Sequence, residues 1–342
     1  MTIRVGVAGY GMGGRYFHTP FIQASEACEL TGVVTNSPQR AGLVAKEVPG
    51  ATVYSSLGQL IDAGVDAVVI STPPETHREL VLEAISRGVH VVADKPFAPS
   101  AEVGLELMAA ANDAGVLLSV FHNRRWDTDI VTLRGVLDSG SVGAVWRFDS
   151  RFDLDQPGGL EAGPGGGLLR DLGSHLVDQA LYLFGPARFV SAQLDWVDLP
   201  TGRTDSGFVI SVEHAGGTHS HLSSTKLNRL VGRELRVVGE LGSYVSSFTD
   251  VQARAILAGD RPKDDRANWG YESGERWGTL HAAGGATRVP SAQGDYTDFY
   301  DRFANAVEHA TPQPVPASEA IETLRVLDAA RLSAVEHRTI VL

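Results

Sequence analysis

Cysteine is nearly absent: Cys28 is the only one in 342 residues. A single thiol cannot close an internal disulfide, so a packed core must hold the fold, as in proteins of a reducing compartment. Basic charge is in deficit. Lys and Arg total 29 against 41 Asp and Glu, a formal net charge of −12. That sign argues against nucleic-acid and anionic-membrane binding and fits work on small molecules. Long apolar runs are missing as well, and none approaches the roughly 20 residues of a membrane span. The first residues lack the pattern of a secretory leader and enter a strand pattern at once, which gives a cytoplasmic expectation. Repeats and low-complexity tracts are missing. No His, Cys and Asp spacing suggests a closed metal site. What remains is an ordinary globular composition, 43% hydrophobic and 20% charged, in a length that usual domain sizes divide into about two.

The most informative stretch lies near the start. Residues 3–7 form an apolar run, and Gly9-Tyr10-Gly11-Met12-Gly13-Gly14 follows directly. This is G-x-G-x-x-G with an extra glycine at Gly13. Gly9 permits a tight strand-to-helix turn, Gly11 lets the backbone approach a pyrophosphate, and Gly14 lets the helix pack near the strand. The amides freed at the helix N-terminus would face an anion. Glycine-rich turns are common, so the pattern alone is weak; placed directly after a strand, it predicts a dinucleotide site.

Strand and helix patterns then alternate. Apolar runs at 3–7, 30–34, 52–54, 67–71, 90–93 and 117–121 are separated by helical stretches at 15–24, 40–46, 57–62, 76–87 and 101–114. Short buried strands joined by helices mean a parallel sheet with right-handed crossovers, a doubly wound Rossmann-type α/β domain. After residue 121 the grammar changes. A helix over 129–137, a strand over 144–154, a Gly/Pro-rich loop over 156–167 and a helix over 168–184 lead into strands at 189–197, 207–214, 217–225, 234–239 and 243–247. Short turns between them indicate an antiparallel or mixed sheet in a C-terminal α+β domain. Residues 262–285 read as a long polar loop carrying Trp269, Tyr271 and Trp277. Helices over 296–309 and 318–336 and a strand over 339–341 close the chain. The expected domains are residues 1–122 and 123–342.

Several residue groups carry candidate chemistry. An NAD site usually places Asp or Glu at the end of the second strand to hold the ribose 2′-hydroxyl. Here the stretch is Val34-Thr35-Asn36-Ser37-Pro38-Gln39-Arg40, with no carboxylate. Ser37 can donate to a phosphate and Arg40 can pair with its charge, which predicts NADP, with NAD as the alternative. The other reading is an ordinary helix N-cap followed by a surface Arg. Ser71-Thr72-Pro73-Pro74-Glu75-Thr76-His77 falls at the carboxyl edge of the sheet, where ligands bind. Thr72 and Pro73 suit a cofactor wall; His77 suits packing or a nucleotide contact. Asp94-Lys95-Pro96 follows the strand at 90–93, and Lys95 beside a nicotinamide would polarise a substrate hydroxyl or carbonyl. The alternative is a surface lysine next to a turn. Asp171 and His175 lie on one face of the helix over 168–184. Histidine suits proton exchange near neutral pH, and a carboxylate one turn away can orient it; a helix-surface ion pair is the competing reading. His122-Asn123-Arg124-Arg125-Trp126-Asp127 offers groups for a polyhydroxylated ring, or an interdomain salt-bridge cluster.

Together these stretches resemble the glucose–fructose oxidoreductase / inositol dehydrogenase (Gfo/Idh/MocA) family. The likeness rests on VAGYGMGG at 7–14, STPPETH at 71–77, DKPF at 94–97, FHNRRWD at 121–127 and GGGLLRDLGSHLVDQALYLFG at 165–185. With Asp250-Val251-Gln252, they look most like the branch containing NADP-dependent scyllo-inositol dehydrogenases. The resemblance implies hydride transfer between nicotinamide and a ring carbinol carbon of a cyclitol or sugar. It implies His175 as proton acceptor, Lys95 as oxyanion stabiliser and Asp171 as the group orienting substrate and His175. The family's usual E-K-P is D-K-P here, which leaves the contacts of Asp94 open. The expected cofactor contacts are Gly9, Tyr10, Gly11, Met12, Gly13, Gly14, Asn36, Ser37, Arg40, Ser71, Thr72, Pro73, His77, Asp94, Lys95 and Asn123. Arg125, Trp126, Lys95, Asp171 and His175 are expected on the substrate. The resemblance also implies a large open, mostly antiparallel sheet that pairs subunits into dimers or tetramers. Two other functions keep the same fold: a nucleotide-binding regulator without turnover, and a redox-assisted hydrolase or lyase. The joint presence of Lys95, Asp171 and His175 speaks against the first. The carboxylate-free stretch at 35–38 speaks against the second.

Overall fold

The computed structural model describes residues 2–163 and 165–342; Pro164, in the predicted loop over 156–167, lies outside them. The chain forms two compact units. One comprises Met1–Asn123, Ala253–Trp269 and Tyr296–Ile321, the other Arg124–Gln252, Gly270–Asp295 and Glu322–Leu342. A single boundary near residue 122 therefore misses two late segments that return to the first unit.

The first unit begins with β1 (Ile3–Ala8), α1 (Thr19–Ala24), β2 (Cys28–Val34), α2 (Pro38–Glu47), β3 (Thr52–Tyr54) and α3 (Leu57–Asp62). It continues through β4 (Ala67–Ile70), α4 (His77–Ser86), β5 (His90–Ala93), α5 (Ala101–Ala114) and β6 (Leu118–Val120). All six strands are parallel, in the order β3-β2-β1-β4-β5-β6. Order reverses direction beside β1, so the carboxyl ends of β1, β4 and β5 border the crevice where such sheets bind ligands. The interior strands are nearly continuous apolar runs because helices cover both faces. Every residue of β4 is fully buried.

The element after the glycine turn differs from the expected helix over 15–24. Gly13–His18 is a π-helical turn, and α1 begins only at Thr19. Pro20 explains part of the break. It lacks an N–H, and its ring excludes the carbonyl of the preceding turn, so it sits comfortably only in a helix's first turn.

The second unit contains α6 (Thr128–Asp138), β7 (Val145–Asp155), α7 (Leu168–Phe184), β8 (Ala187–Leu199), β9 (Gly202–His214), β10 (His219–Thr225), β11 (Leu227–Gly239) and β12 (Gly242–Ser246). The second unit also takes β13 (Gly278–Ala282), β14 (Gly285–Val289) and β15 (Ile340–Val341), whereas α8 (Val251–Ala258) beyond Gln252 and all of α9 (Thr297–His309) belong to the first, and α10 (Ala317–Glu336) passes from the first to the second after Ile321. Its nine strands run β14-β13-β12-β11-β7-β10-β9-β8-β15. Only β7 and β10 pair in parallel; the rest are antiparallel. The sheet is thus mostly antiparallel, and α7 packs on β9, β10 and β7.

Three departures have physical causes. The strand expected over 207–214 starts at Gly202, because β8 and β9 form a long hairpin whose pairing reaches Leu199↔Gly202 and carries the polar residues Arg203 to Ser206 into the ladder. The region 278–289, largely assigned to a loop, is the β13–β14 hairpin. β14 is the sheet's edge strand and almost wholly exposed, and β13 beside it buries only Gly278, so no apolar alternation betrays them. The short helix α8 was not anticipated; Ile256 is its one fully buried large side chain.

A buried ion cluster sits inside the second unit. Arg233 reaches Asp127 Oδ2 at 2.6 Å from Nη2 and Asp129 Oδ2 at 2.7 Å from Nε. Arg124 bridges Asp127 at 3.2 Å and Asp250 at 2.8 Å. Burial, with Asp127 adding repulsion, pushes the Asp129 carboxyl up to about 6 although Arg233 pulls it down. Removing one partner of such a group leaves uncompensated charge in low dielectric. Arg233→Ala should therefore cost about 3–5 kcal/mol, measured by denaturant unfolding. A loss below about 1 kcal/mol, the usual size for an exposed pair, would show that the cluster is solvated.

Candidate active site

The glycine turn leaves β1 at the carboxyl edge of the first unit's sheet. Gly9 has φ +101°, and a Cβ there would collide with the Ser71 carbonyl. A Cβ at Gly14 would collide with the Gly9 carbonyl. Both are glycine because the turn closes on itself. Gly13 has a separate reason: its Cβ would lie 2.5 Å from Ser71 Oγ and 2.6 Å from Asp94 Oδ2. Gly11 is unlike these three, since a Cβ there meets no described atom within 4 Å and its φ is ordinary. Among the described residues nothing demands glycine at Gly11. A ligand laid against its backbone would, and the pyrophosphate of a dinucleotide is the ligand the spacing predicts. Met12 projects into solvent at 63% exposure. Tyr10 points inward, 2% exposed, and donates to Glu47 Oε2 at 3.0 Å, with Arg15 on the same carboxylate. Its side chain supports the turn from below, which leaves its backbone for any cofactor contact.

Asp94 is the hub of this region. Its Oδ2 accepts from Ser71 Oγ at 2.8 Å, and His18 Nε2 stands 3.3 Å away. Its Oδ1 accepts from the Lys95 backbone N–H at 2.9 Å. Burial pushes the carboxyl up, but His18, Lys95 and the Ser71 hydroxyl outweigh it and hold Asp94 well below the usual carboxylate range. Lys95 is half-buried at the carboxyl end of β5, and the Lys95–Pro96 bond is cis. Thr72 and Pro73 are fixed from behind. Thr76 Oγ1 lies 2.6 Å from Thr72 Oγ1 and donates to the Pro73 carbonyl at 2.7 Å, and His77 Nε2 meets the Thr72 carbonyl at 2.9 Å. His77 is 1% exposed. Its ring nitrogen holds the backbone of the loop that was expected to form the cofactor wall.

At the end of β2, Ser37 takes the helix-cap role. Its Oγ accepts from the Arg40 N–H at 3.4 Å and caps α2. A capping hydroxyl still has its proton to donate. Asn36 and Arg40 are exposed, so their polar groups are open to a ligand.

In the second unit, α7 carries Asp171 and His175. The helix start is set from outside. Gly167 has φ +94°, and Asp205 on β9 caps the first turn by accepting from Leu169 N–H at 2.6 Å. His175 is 6% exposed, which does not match a helix-surface pair. Asp171 is partly exposed and accepts from Lys226 Nζ at 2.8 Å; the same ammonium donates to the Gly159 carbonyl at 2.9 Å. Lys226 thereby joins the Gly-rich loop to the face of α7 that bears the candidate carboxylate. Arg125 is buried and holds Asp178 of α7 with Nε at 2.9 Å and Nη2 at 2.6 Å. This salt bridge lies within the second unit and buries the guanidinium expected on the substrate. Trp126 is 8% exposed and Asn123 is 6% exposed. His18, Tyr300, Lys226, Asp205 and Asp178 were not found from sequence. Each acts on a partner at least dozens of residues away, which no local motif records.

Comparison with known proteins bears on this geometry. A family model described as an oxidoreductase family with an NAD-binding Rossmann fold matches residues 3–122, and the GFO/IDH/MocA C-terminal domain model matches residues 130–245. The scyllo-inositol 2-dehydrogenase (NADP(+)) IolW of Bacillus subtilis is 32% identical, covering 100% of this chain and 96% of that protein. The oxidoreductase YdgJ of Escherichia coli is 36% identical over 99% of both. The solved structure of yvaA from Bacillus subtilis superposes with a TM-score of 0.91 at 31% identity and full coverage of both chains. Among the described residues, no helix is long and apolar enough to cross a membrane.

Gly11 provides a direct test of the dinucleotide fit. Gly11→Val should leave thermal stability nearly unchanged, because the new side chain meets open space. It should weaken NADPH binding by at least about tenfold, measured by fluorescence titration. Unchanged affinity would remove the turn's backbone from the cofactor site.

Proposed function

Because the chain belongs to the GFO/IDH/MocA oxidoreductase family, we propose that it is an NAD(P)-dependent dehydrogenase acting on a CH–OH group. It interconverts a secondary alcohol and a ketone of a cyclitol or sugar, with NADP preferred over NAD. The observation that carries this reading is Lys95. Its backbone is fixed by an ionised Asp94 that also touches the glycine turn, and a surface lysine beside a turn has no need of such anchoring.

Bound at the glycine turn, the dinucleotide supplies the hydride acceptor for oxidation and the hydride donor for reduction. Gly9 to Gly14 offer backbone to its pyrophosphate. Ser71, Thr72 and Pro73 form its wall, with Asp94, Lys95 and Asn123 at the nicotinamide end. Asn36, Ser37 and Arg40 face the ribose and its 2′-phosphate. Lys95 hydrogen-bonds the reacting oxygen and stabilises charge that develops on it. His175 takes the hydroxyl proton in oxidation and returns it in reduction. Asp171, held by Lys226, orients substrate and His175. Arg125 supports the substrate region through Asp178 of α7, and Trp126 is buried beside it in sequence. We further assign the face of the nine-stranded sheet opposite α7 to subunit pairing with a second copy. It forms a concavity of about 1020 Å³ where Arg147, Arg151 and Arg236 lie among Asp149, Glu234 and Glu275. Mixed charge of this kind suits a two-fold, self-complementary contact, and a monomeric mass in sedimentation would refute it.

The decisive measurement is a cofactor-reduction screen over inositols, aldoses and small keto-sugars, with NADP and with NAD. Reduction of NADP by at least one polyol is expected, and failure of all with both cofactors would sink the dehydrogenase reading. Lys95→Ala should abolish turnover while NADPH binding stays nearly intact; a fully active variant removes lysine from the scheme. Arg40→Ala should weaken NADP far more than NAD, and equal losses would place the 2′-phosphate elsewhere.

A further inference from the structure

His18 is a fully buried histidine at the end of the π-helical turn, and the scheme above gives it no task. Its ring packs on Phe121, with centroids 4.2 Å apart. A histidine in an apolar shell needs partners for its ring nitrogens. Nδ1 lies 2.5 Å from the Tyr300 hydroxyl of α9, and Nε2 lies 3.3 Å from Asp94 Oδ2. The two ends of this chain are chemically fixed. Burial and the nearby Asp94 charge push the Tyr300 hydroxyl well above its ordinary range, so it keeps its proton. Asp94 is an acceptor. In a neutral ring Tyr300 O–H donates to Nδ1 and the ring proton sits on Nε2. In a charged ring Nδ1–H donates to Tyr300 and Nε2 is protonated as well. In both, a protonated Nε2 stands 3.3 Å from Asp94 Oδ2, a polar contact without hydrogen-bond alignment. The other carboxylate oxygen holds the Lys95 N–H.

We propose that His18 is a positioning residue for Lys95. Anchored by Tyr300, it holds the Asp94 carboxylate, which fixes the backbone from which the Lys95 ammonium projects. The inference deepens the reading above and rests on its assignment of Lys95. The geometry adds a constraint on the cofactor side. Gly13 and His18 are the two ends of one turn, and Asp94 touches both. The backbone that approaches the dinucleotide and the loop that carries Lys95 therefore share one carboxylate. Altering His18 shifts Asp94 and Lys95 while leaving the proposed contacts of Gly9, Gly11 and Gly14 and of Asn36, Ser37 and Arg40 in place.

The test compares wild type with His18→Leu and His18→Gln, the latter keeping an N–H donor that can face Asp94. Lys95 is followed by site-resolved acetylation with acetic anhydride, with the exposed Lys46 and Lys263 as internal references. NADPH affinity is measured in parallel, and kcat and KM with the polyol found in the screen. His18→Leu should change Lys95 acetylation by at least about threefold relative to the references and lower kcat about tenfold, with KM and NADPH affinity within about threefold. His18→Gln should recover most of both losses. Unchanged Lys95 acetylation in His18→Leu, or a Gln variant no better than Leu, overturns the proposal. Should His18→Leu fail to fold, Tyr300→Phe deletes a single oxygen from the chain and is judged by the same acetylation readout. Acetylation needs no turnover, so it separates failure of this inference from failure of the dehydrogenase reading, which would show as an inactive wild type or an active Lys95→Ala.

Discussion

Three loops at the carboxyl edge of a parallel sheet converge on the Asp94 carboxylate. It takes a hydroxyl from the loop after β4, a backbone N–H from the loop after β5, and a histidine from the turn after β1. A charge so placed needs its hydrogen bonds, because an ionised carboxylate removed from water without them is strongly disfavoured. The demand propagates outward. Gly13 has no Cβ because the carboxylate and Ser71 occupy its place. The turn after β1 is wound loosely, with His18 at its end. Tyr300 arrives from the far end of the chain to complete the histidine's partners. A shorter carboxylate than the family's usual glutamate thus has a full set of contacts of its own.

The legible part of the protein was the part written in local pattern. Buried strands announced themselves as apolar runs, and the glycine turn by its spacing. The spacing gave Gly9, Gly11 and Gly14 a reason each and left Gly13 without one. Gly9 and Gly14 serve the turn, Gly13 serves a carboxylate, and only Gly11 is left for a ligand. The candidate site was legible as a set of residue types and not as a set of contacts. Lys95, Asp171 and His175 stand in recognisable stretches, whereas their supports do not. Asp171 is met by Lys226 and His18 by Tyr300, pairs separated by 55 and 282 residues. Arg125 looked like a ligand-binding cation in a row of polar residues, yet it is buried on Asp178. Strands β13 and β14 escaped because elements that bury so few side chains carry no hydrophobic period to read.

Helix α7 shows how the second unit carries buried polar chemistry without losing a helix. Its N-terminus is capped by Asp205 from a strand, its partly exposed carboxylate by Lys226, and its buried Asp178 by Arg125. Each bond spans elements, so the polar groups of α7 are satisfied only when the sheet has formed. Buried polar networks of this kind specify one arrangement over its neighbours, because a half-satisfied network is worse than none. His175 is thereby placed on a helix whose rotation is set at several points along its length.

The return of residues 253–269 and 296–321 to the first unit has a bearing on biosynthesis. The ring of Phe21 is met by Trp269 and Tyr296, at 6.1 and 5.0 Å between centroids, and that of Phe121 by Phe299 at 4.9 Å. Strand β6 also completes its hydrogen bonding on residue 315 through the Val120 N–H. A ribosome releases the six strands of the parallel sheet long before it releases these covering residues. The nascent first half therefore emerges with an aromatic surface uncovered, and it stays so until nearly the whole message has been read. A gene cut after the last of those strands would encode a sheet whose Phe21 and Phe121 lack the rings that cover them in the full chain.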